Sequence, residues 1–216
     1  MPPWGESPDT DTTTTTTYDS PTAFPTPTQT GPAYLYQDDF SNINSGWASR
    51  NSDNNIMDYA NGSYRIYVAG TYADLVANAG AYLPADVVVE VDATRNSGTE
   101  DNDYGVLCRV QDLDNFYFFQ ISSDGYAVIG KFENNDMAYL SADAMQKVDG
   151  ILGGSGTNHI RAECIGSTLT LYANGYLLAT AYDSTFSGGG DVCLMAGTFS
   201  EGGADILFDN LTVSAP

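Results

Sequence analysis

Between Glu100 and Gly125 the chain reads EDNDYGVLCRVQDLDNFYFFQISSDG, and this stretch leaves few folds open. Tyr104 to Val110 and Phe116 to Ile121 are short runs rich in β-branched and aromatic residues, separated by the turn formers Gln111-Asp112-Leu113-Asp114-Asn115. They predict an antiparallel hairpin. Tyr126 to Phe132, following Ser122-Ser123-Asp124-Gly125, extends it to a meander of three strands. Alternation puts Val106, Cys108 and Val110 on one face and Leu107 and Arg109 on the other. In the second strand Tyr117, Phe119 and Ile121 share one face, and Phe116, Phe118 and Gln120 share the opposite one. Both faces carry large apolar groups, as in strands covered on both sides. One face belongs in the core; the other needs a cover, which a loop of the same chain, a ligand or another subunit could supply.

Further short strands follow the same pattern. Tyr34 to Phe40 opens the domain, and Ser41 to Trp47 is a turn-rich link whose Trp47 is read as core rather than as a ligand platform. Tyr64 to Val68 follows the turn signal Asn61-Gly62, and Ala73 to Val76 is a second short run. In Val87 to Ala93, Val87, Val89 and Val91 face one way and Val88, Glu90 and Asp92 the other. Asn134 to Ser155 reads as loop, with at most one helical turn in Leu140 to Ile151. His159 to Cys164 and Thr168 to Tyr172 form a hairpin, Asn174-Gly175 turns into Tyr176 to Tyr182, and Val192 to Phe199 and Ile206 to Val213 close the chain. Some dozen strands with glycine-rich turns and no helical periodicity predict an all-β fold: a two-sheet antiparallel sandwich of jelly-roll type over residues 34–216.

Residues 1–33 differ in kind. The run TDTTTTTTYDSPTAFPTPTQTGP is low in complexity, and prolines 21, 25 and 27 interrupt any ladder or helix, as in extended stalks and linkers. Threonine nevertheless favours strands. Thr12, Thr13, Thr14, Thr15, Thr16, Thr17 and Tyr18 are therefore a candidate assembly segment, able to add as a strand to a sheet edge of their own domain or of a neighbour. Docking on a neighbour would build a homo-oligomer or polymer, because a head-to-tail contact need not close. Met1-Pro2-Pro3-Trp4-Gly5-Glu6 has neither the basic nor the apolar segment of a secretory signal, so export implies a signal already removed or replaced.

Charge narrows the partners. With 28 acidic and 7 basic residues, a net of -21, the chain repels phosphate backbones and anionic headgroups, so nucleic acid is excluded as an expected partner. No apolar run is long enough to span a bilayer, and membrane insertion is not expected. Asp and Asn concentrated in turns suit calcium, saline surroundings or plain solubility. The sequons Asn61-Gly62-Ser63 and Asn210-Leu211-Thr212 are compatible with an exported protein. Of three cysteines, Cys108 falls with Val106 and Val110 and Cys164 with Ile160 and Ala162, while Cys193 points away from Val192 and Leu194. A Cys108–Cys164 disulfide with Cys193 free is the expectation, and three buried thiols the alternative.

The succession LYQDDFSNINSGW, YGVLCRVQDLDNFYFFQISSDGY, NHIRAECIGSTLTLYANGYLLA, DVCLMAGTF and FDNLTV resembles the concanavalin A-like lectin/glucanase superfamily over about residues 34–214. It looks most like bacterial extracellular modules near the keto-disaccharide hydrolase-like domains of unknown function. The resemblance implies two curved sheets, a concave face used for sugars, and an extracellular or cell-surface location. By similarity to laminarinase-type glucanases it also implies a structural calcium near the closing strand, with Asp209 as ligand and Asp39 as companion.

Catalytic machinery is not evident. Glucanases of this superfamily carry E-x-D-x-E on one strand; here Glu90-Val91-Asp92 is followed by Thr94 in the third acidic position. There is no G-x-S-x-G elbow, and a Ser-His-Asp set could form only around His159, read as an exposed edge residue. Asp101-Asn102-Asp103 and Asp112-Leu113-Asp114 lack a complete calcium-loop spacing. Two functions follow: a non-catalytic surface protein that self-assembles through residues 12–18, or a lectin-like carbohydrate-binding module. The outward face of the meander, with Leu107, Arg109, Phe116, Phe118, Gln120 and Tyr126, and Trp47 in addition for sugar stacking, is the contact surface in either case. A hydrolase is the least favoured reading.

Overall fold

The computed structural model describes residues 33–52 and 54–216. The assembly segment Thr12–Tyr18 lies outside the described residues. Among the described residues there are sixteen strands and no helix. In chain order they are β1 (Tyr34–Asp38), β2 (Arg50–Ser52), β3 (Asn55–Ala60), β4 (Ser63–Val68), β5 (Ala73–Asn78) and β6 (Val87–Ser97). The meander follows as β7 (Asn102–Asp112), β8 (Asn115–Ile121), β9 (Tyr126–Glu133), β10 (Asp136–Tyr139) and β11 (Gln146–Lys147). The chain closes with β12 (Thr157–Ile165), β13 (Thr168–Ala173), β14 (Tyr176–Tyr182), β15 (Asp191–Thr198) and β16 (Ala204–Ser214).

All strand pairs are antiparallel and build two sheets. One runs β14-β13-β12-β6-β16-β4-β3-β2, with β1 also on β16; the other runs β10-β9-β8-β7-β15-β5, with β11 also on β9. Strand β16 changes neighbour along its length: Ala204 to Phe208 pair with β4, whereas Leu211 to Ser214 pair with β1. The sheets pack over one core, to which the larger sheet contributes Ile66, Val89, Val91, Ile160 and Phe208 and the smaller one Val106, Tyr117, Phe119 and Leu194. These are the inward residues that period-2 alternation selects. Trp47 sits in this core against Phe40 and Tyr64, its indole N–H donating to the Tyr36 hydroxyl at 3.1 Å. A disulfide joins Cys108 of β7 to Cys164 of β12 across the core, so it ties one sheet to the other. Cys193 is a buried free thiol on the opposite face of its sheet.

The segment read as loop between Asn134 and Ser155 contains β10 and β11 instead, and no helical turn. The turn into β10 is Asn134-Asn135, both with left-handed backbone (φ 53° and 68°), the pairing that tight hairpins favour. His159 is not at a sheet edge: β12 lies between β6 and β13, and the imidazole stands on the outer surface of the sheet.

Candidate functional site

The smaller sheet buries a second apolar cluster on the face turned away from the main core: Leu107, Val110, Phe116, Phe118, Val128, Cys193 and Met195. Arg109 is not part of it. Strand β7 carries an extra residue opposite β15, where Asp191 pairs with Val110 but Cys193 with Leu107. At this bulge Arg109 adopts φ 51°, which turns its side chain to the core side and brings Val110 to the outer face. The buried guanidinium donates to the carbonyls of Ala85 (2.7 Å) and Phe186 (2.8 Å) and to Asp86 (3.2 Å), and lies over the Tyr117 ring. It holds two loops in place and contacts nothing on the outer face.

Phe116 and Phe118 are covered by residues of their own sheet. Phe132 stacks on Phe116 at 5.1 Å and Tyr139 meets Phe118 edge-on at 6.2 Å. Gly130 makes this closure possible, since a Cβ there would run into the Phe118 ring. Only 6% of Phe116 and 2% of Phe118 remain exposed. Of the covers open to this face, the chain itself supplies most: β9 and β10 pack it.

Beside this packed patch the same face opens into a cleft of about 340 Å³, bordered by Gln120, Met195 and Tyr139 and reaching Tyr72, Asp74, Asp103 and Phe199. Its floor is one register row across three strands, in which Gly197 of β15 pairs with Asp103 of β7 on one side and Asp74 of β5 on the other. A Cβ built on Gly197 would overlap Oδ1 of both aspartates, so the two carboxylates face each other across the space of one missing methyl group. Asp103 is only 6% exposed, and its Oδ1 has no hydrogen-bond partner. Burial, and after it the charge of Asp74, raises the Asp103 carboxyl to about 7; Asp74, though its side chain still reaches solvent, is raised by partial desolvation. Tyr139 is raised by burial and then by the same two carboxylates.

Two loops form the mouth. Tyr72 has φ 51°, uncommon for a bulky residue, is 77% exposed, and donates its backbone N–H to the Phe199 carbonyl at 2.8 Å. Thr198 anchors that loop by donating from Oγ1 to the Gly70 carbonyl at 2.8 Å. A neighbouring depression shares Tyr139 and Phe199 and continues to Asp101, Asp124 and Tyr126, whose ring carries the Lys147 ammonium 5.1 Å from its centre. Of the predicted contact residues, Phe116, Phe118 and Gln120 border the cleft, Tyr126 the adjoining depression, and Leu107 the packed patch. Trp47 and Arg109 lie elsewhere, while Asp74, Asp103, Tyr72 and Phe199 went unpredicted.

No family model and no curated protein matches this chain. Solved structures do. The carbohydrate-binding module CBM66 from Bacillus subtilis is 20% identical, with TM-score 0.59 over 80% of this chain and 93% of that one. A Bacillus subtilis protein of unknown function with a galectin-like fold aligns with TM-score 0.61 at 11% identity, over 85% and 96%. The β-glucanase of Bacillus licheniformis aligns with TM-score 0.59 at 12% identity, over 87% and 100%. The fold is the concanavalin A-like jelly roll.

The acids that echo the glucanase pattern lie away from this cleft. Glu90 and Asp92 stand on the outer surface of the other sheet, held by Arg161 at 3.2 Å and His159 at 2.8 Å. The expected calcium ligands lie where β16 changes neighbours. The charge of Asp39 reaches Asp209, whose carboxyl is raised first by burial. Asp39 accepts from Ser41, and beside it Asp38 has one oxygen bonded to the Phe40 N–H (2.8 Å) and the other buried without a partner. That orphaned oxygen suits a hard cation. Among the described residues, however, no three His, Cys, Asp or Glu side chains come together as a metal site, so calcium here would need main-chain carbonyls as well.

Proposed function

We propose that this protein is a non-catalytic carbohydrate-binding module that uses the outer-face cleft of the smaller sheet. The observation that carries this reading is the cleft itself: aromatic walls at Tyr139, Phe199 and Tyr72 beside a floor of paired carboxylates and the Gln120 amide. Flat aromatic faces stack on sugar rings, and carboxylate and amide oxygens accept from ring hydroxyls. The adjoining depression, sharing Tyr139 and Phe199, gives a chain-like ligand a second place to lie. The likeness to a carbohydrate-binding module and to a β-glucanase supports the same reading, and with it we place the protein outside the cell or at its surface. No helix among the described residues is long and apolar enough to cross a membrane.

Self-assembly through residues 12–18 loses its main motive, because Phe116 and Phe118 are packed by their own sheet. A structural calcium held by Asp39 and Asp209 with main-chain carbonyls is proposed as a stabiliser of the β1–β16 junction. The deciding experiment is affinity electrophoresis and array binding against plant and microbial polysaccharides, with Tyr139→Ala and Tyr72→Ala as controls. Retention by at least one polysaccharide, weakened about tenfold in each variant, is expected. Absence of retention on all of them, or retention indifferent to both substitutions, would refute the reading.

A further inference from the structure

The floor of the cleft is unusual for a site that would take only neutral sugars. No Lys, Arg or His lines it. The titratable groups that line the cleft with the two carboxylates are Tyr139 from β10 and Tyr72 from the mouth, while β15 contributes Met195, Gly197 and Thr198 and β8 the neutral Gln120. Gln120 is turned to Met195, donating from Nε2 at 3.1 Å, and offers the pair no hydrogen. Asp103 Oδ1 is thus a buried acceptor with nothing to accept from, next to a second carboxylate. Two carboxylates so close repel one another, and with the burial of Asp103 this keeps one proton on the pair up to about pH 7 when no cation joins them.

We propose that the Asp74–Asp103 pair receives the protonated amine of an amino sugar, making free-amine glycans the ligand class of this cleft. This rests on the carbohydrate-binding reading above. An ammonium carries three donors, enough for both carboxylates at once, and its charge is further favoured by the aromatic faces of Tyr139 and Phe199. A divalent metal is the poorer fit, since it requires a fuller set of oxygen ligands and no third acidic or imidazole side chain joins the pair among the described residues. On binding below about pH 7, where the pair carries a proton and the amine is already charged, that proton leaves to solvent as the ammonium takes its place, so ligand charge enters and one proton departs. Affinity accordingly falls at low pH, where the pair retains its proton, and at high pH, where the amine loses its own.

Isothermal titration of the full chain at about pH 6, below the raised Asp103 value, and at physiological salt tests this with three probes of equal length: a β-1,4-linked glucosamine oligomer, its N-acetylated counterpart, and a neutral glucose oligomer. Expected is binding of the free-amine oligomer at least tenfold tighter than either other probe, with proton release visible as a dependence of the heat on buffer ionisation. Asp103→Asn, nearly isosteric, and Asp74→Asn, at the more accessible position, should each erase that preference. Equal or tighter binding of the N-acetylated or neutral oligomer overturns the amine assignment and leaves the cleft a neutral-sugar site. Preference undiminished in both variants also overturns it, tracing the effect to the chain's general negative charge. Failure of all three probes in the titration, together with failure of the polysaccharide screen, sinks both readings.

Discussion

Two aspartates show how place sets the behaviour of one side chain. Asp183 would be raised by its burial, yet it accepts from the Tyr117 hydroxyl at 2.6 Å and the Thr185 N–H at 2.8 Å and pairs with Lys131 at 3.3 Å, which together bring it down to about 2. Its folded value lies below the unfolded one, so its stabilisation is complete above the ordinary carboxylate range and disappears as pH falls towards 2. Asp183→Asn should therefore lower the urea midpoint at pH 7, and the gap from wild type should shrink on acidification. Asp103 runs the other way. Its folded value, about 7, lies above the unfolded one, so the fold is penalised increasingly as pH rises from about 4 to 7 and fully beyond. Asp103→Asn should stabilise the protein by about 1–3 kcal/mol at pH 8 and by almost nothing at pH 4, measured by denaturant titration at both. A variant no more stable at pH 8 than at pH 4, relative to wild type, would contradict the ascribed burial.

At the level of strands, what could and could not be foreseen divides along physical lines. Alternation was sufficient for β8, β12 and the Val87 to Ala93 part of β6, and it put Phe116, Phe118 and Gln120 on the outward side. It failed at Arg109 because a bulge is a property of the pairing of β7 with β8 and β15, and no residue of β7 announces it. Strand β10 had a readable signal in Asn134-Asn135; β11, two residues long, had none. Asp103 could be placed on the outward face with Leu107, but its meeting with Asp74 across Gly197 depends on the register of strands about thirty and one hundred residues apart, which no local pattern encodes. Arg109→Ala should cost about 3 kcal/mol in a denaturant titration, because the Ala85 and Phe186 carbonyls lose a charged donor, and Arg109→Lys should recover only part of it. The disulfide closes a loop of sequence separation 56, for which chain entropy suggests a contribution of about 4 kcal/mol. Reduction, or the Cys108→Ser/Cys164→Ser pair, should lower the unfolding midpoint accordingly while leaving Cys193 buried in the native state.

On the scale of the whole molecule, the two sheets have divided their labour. The larger one carries on its outer surface polar pairs such as the Arg161–Glu163 ion pair and the His159–Asp92 hydrogen bond, while the smaller one carries the packed aromatics and the cleft. A net charge of -21 keeps such a chain soluble and biases it towards cationic ligands at low salt. The pairing of β1 with β16 sets one last property. Tyr34 lies opposite Ser214, and the Ala215 N–H reaches the Ala33 carbonyl at 3.3 Å, so the polypeptide enters and leaves the sandwich at one point. Tension applied through both sides of that point would load the β1–β16 hydrogen bonds one at a time, like a zip rather than a rivet. In an optical trap, β1 should peel away first, at low force and with a short, reversible extension, while the disulfide-clamped remainder holds.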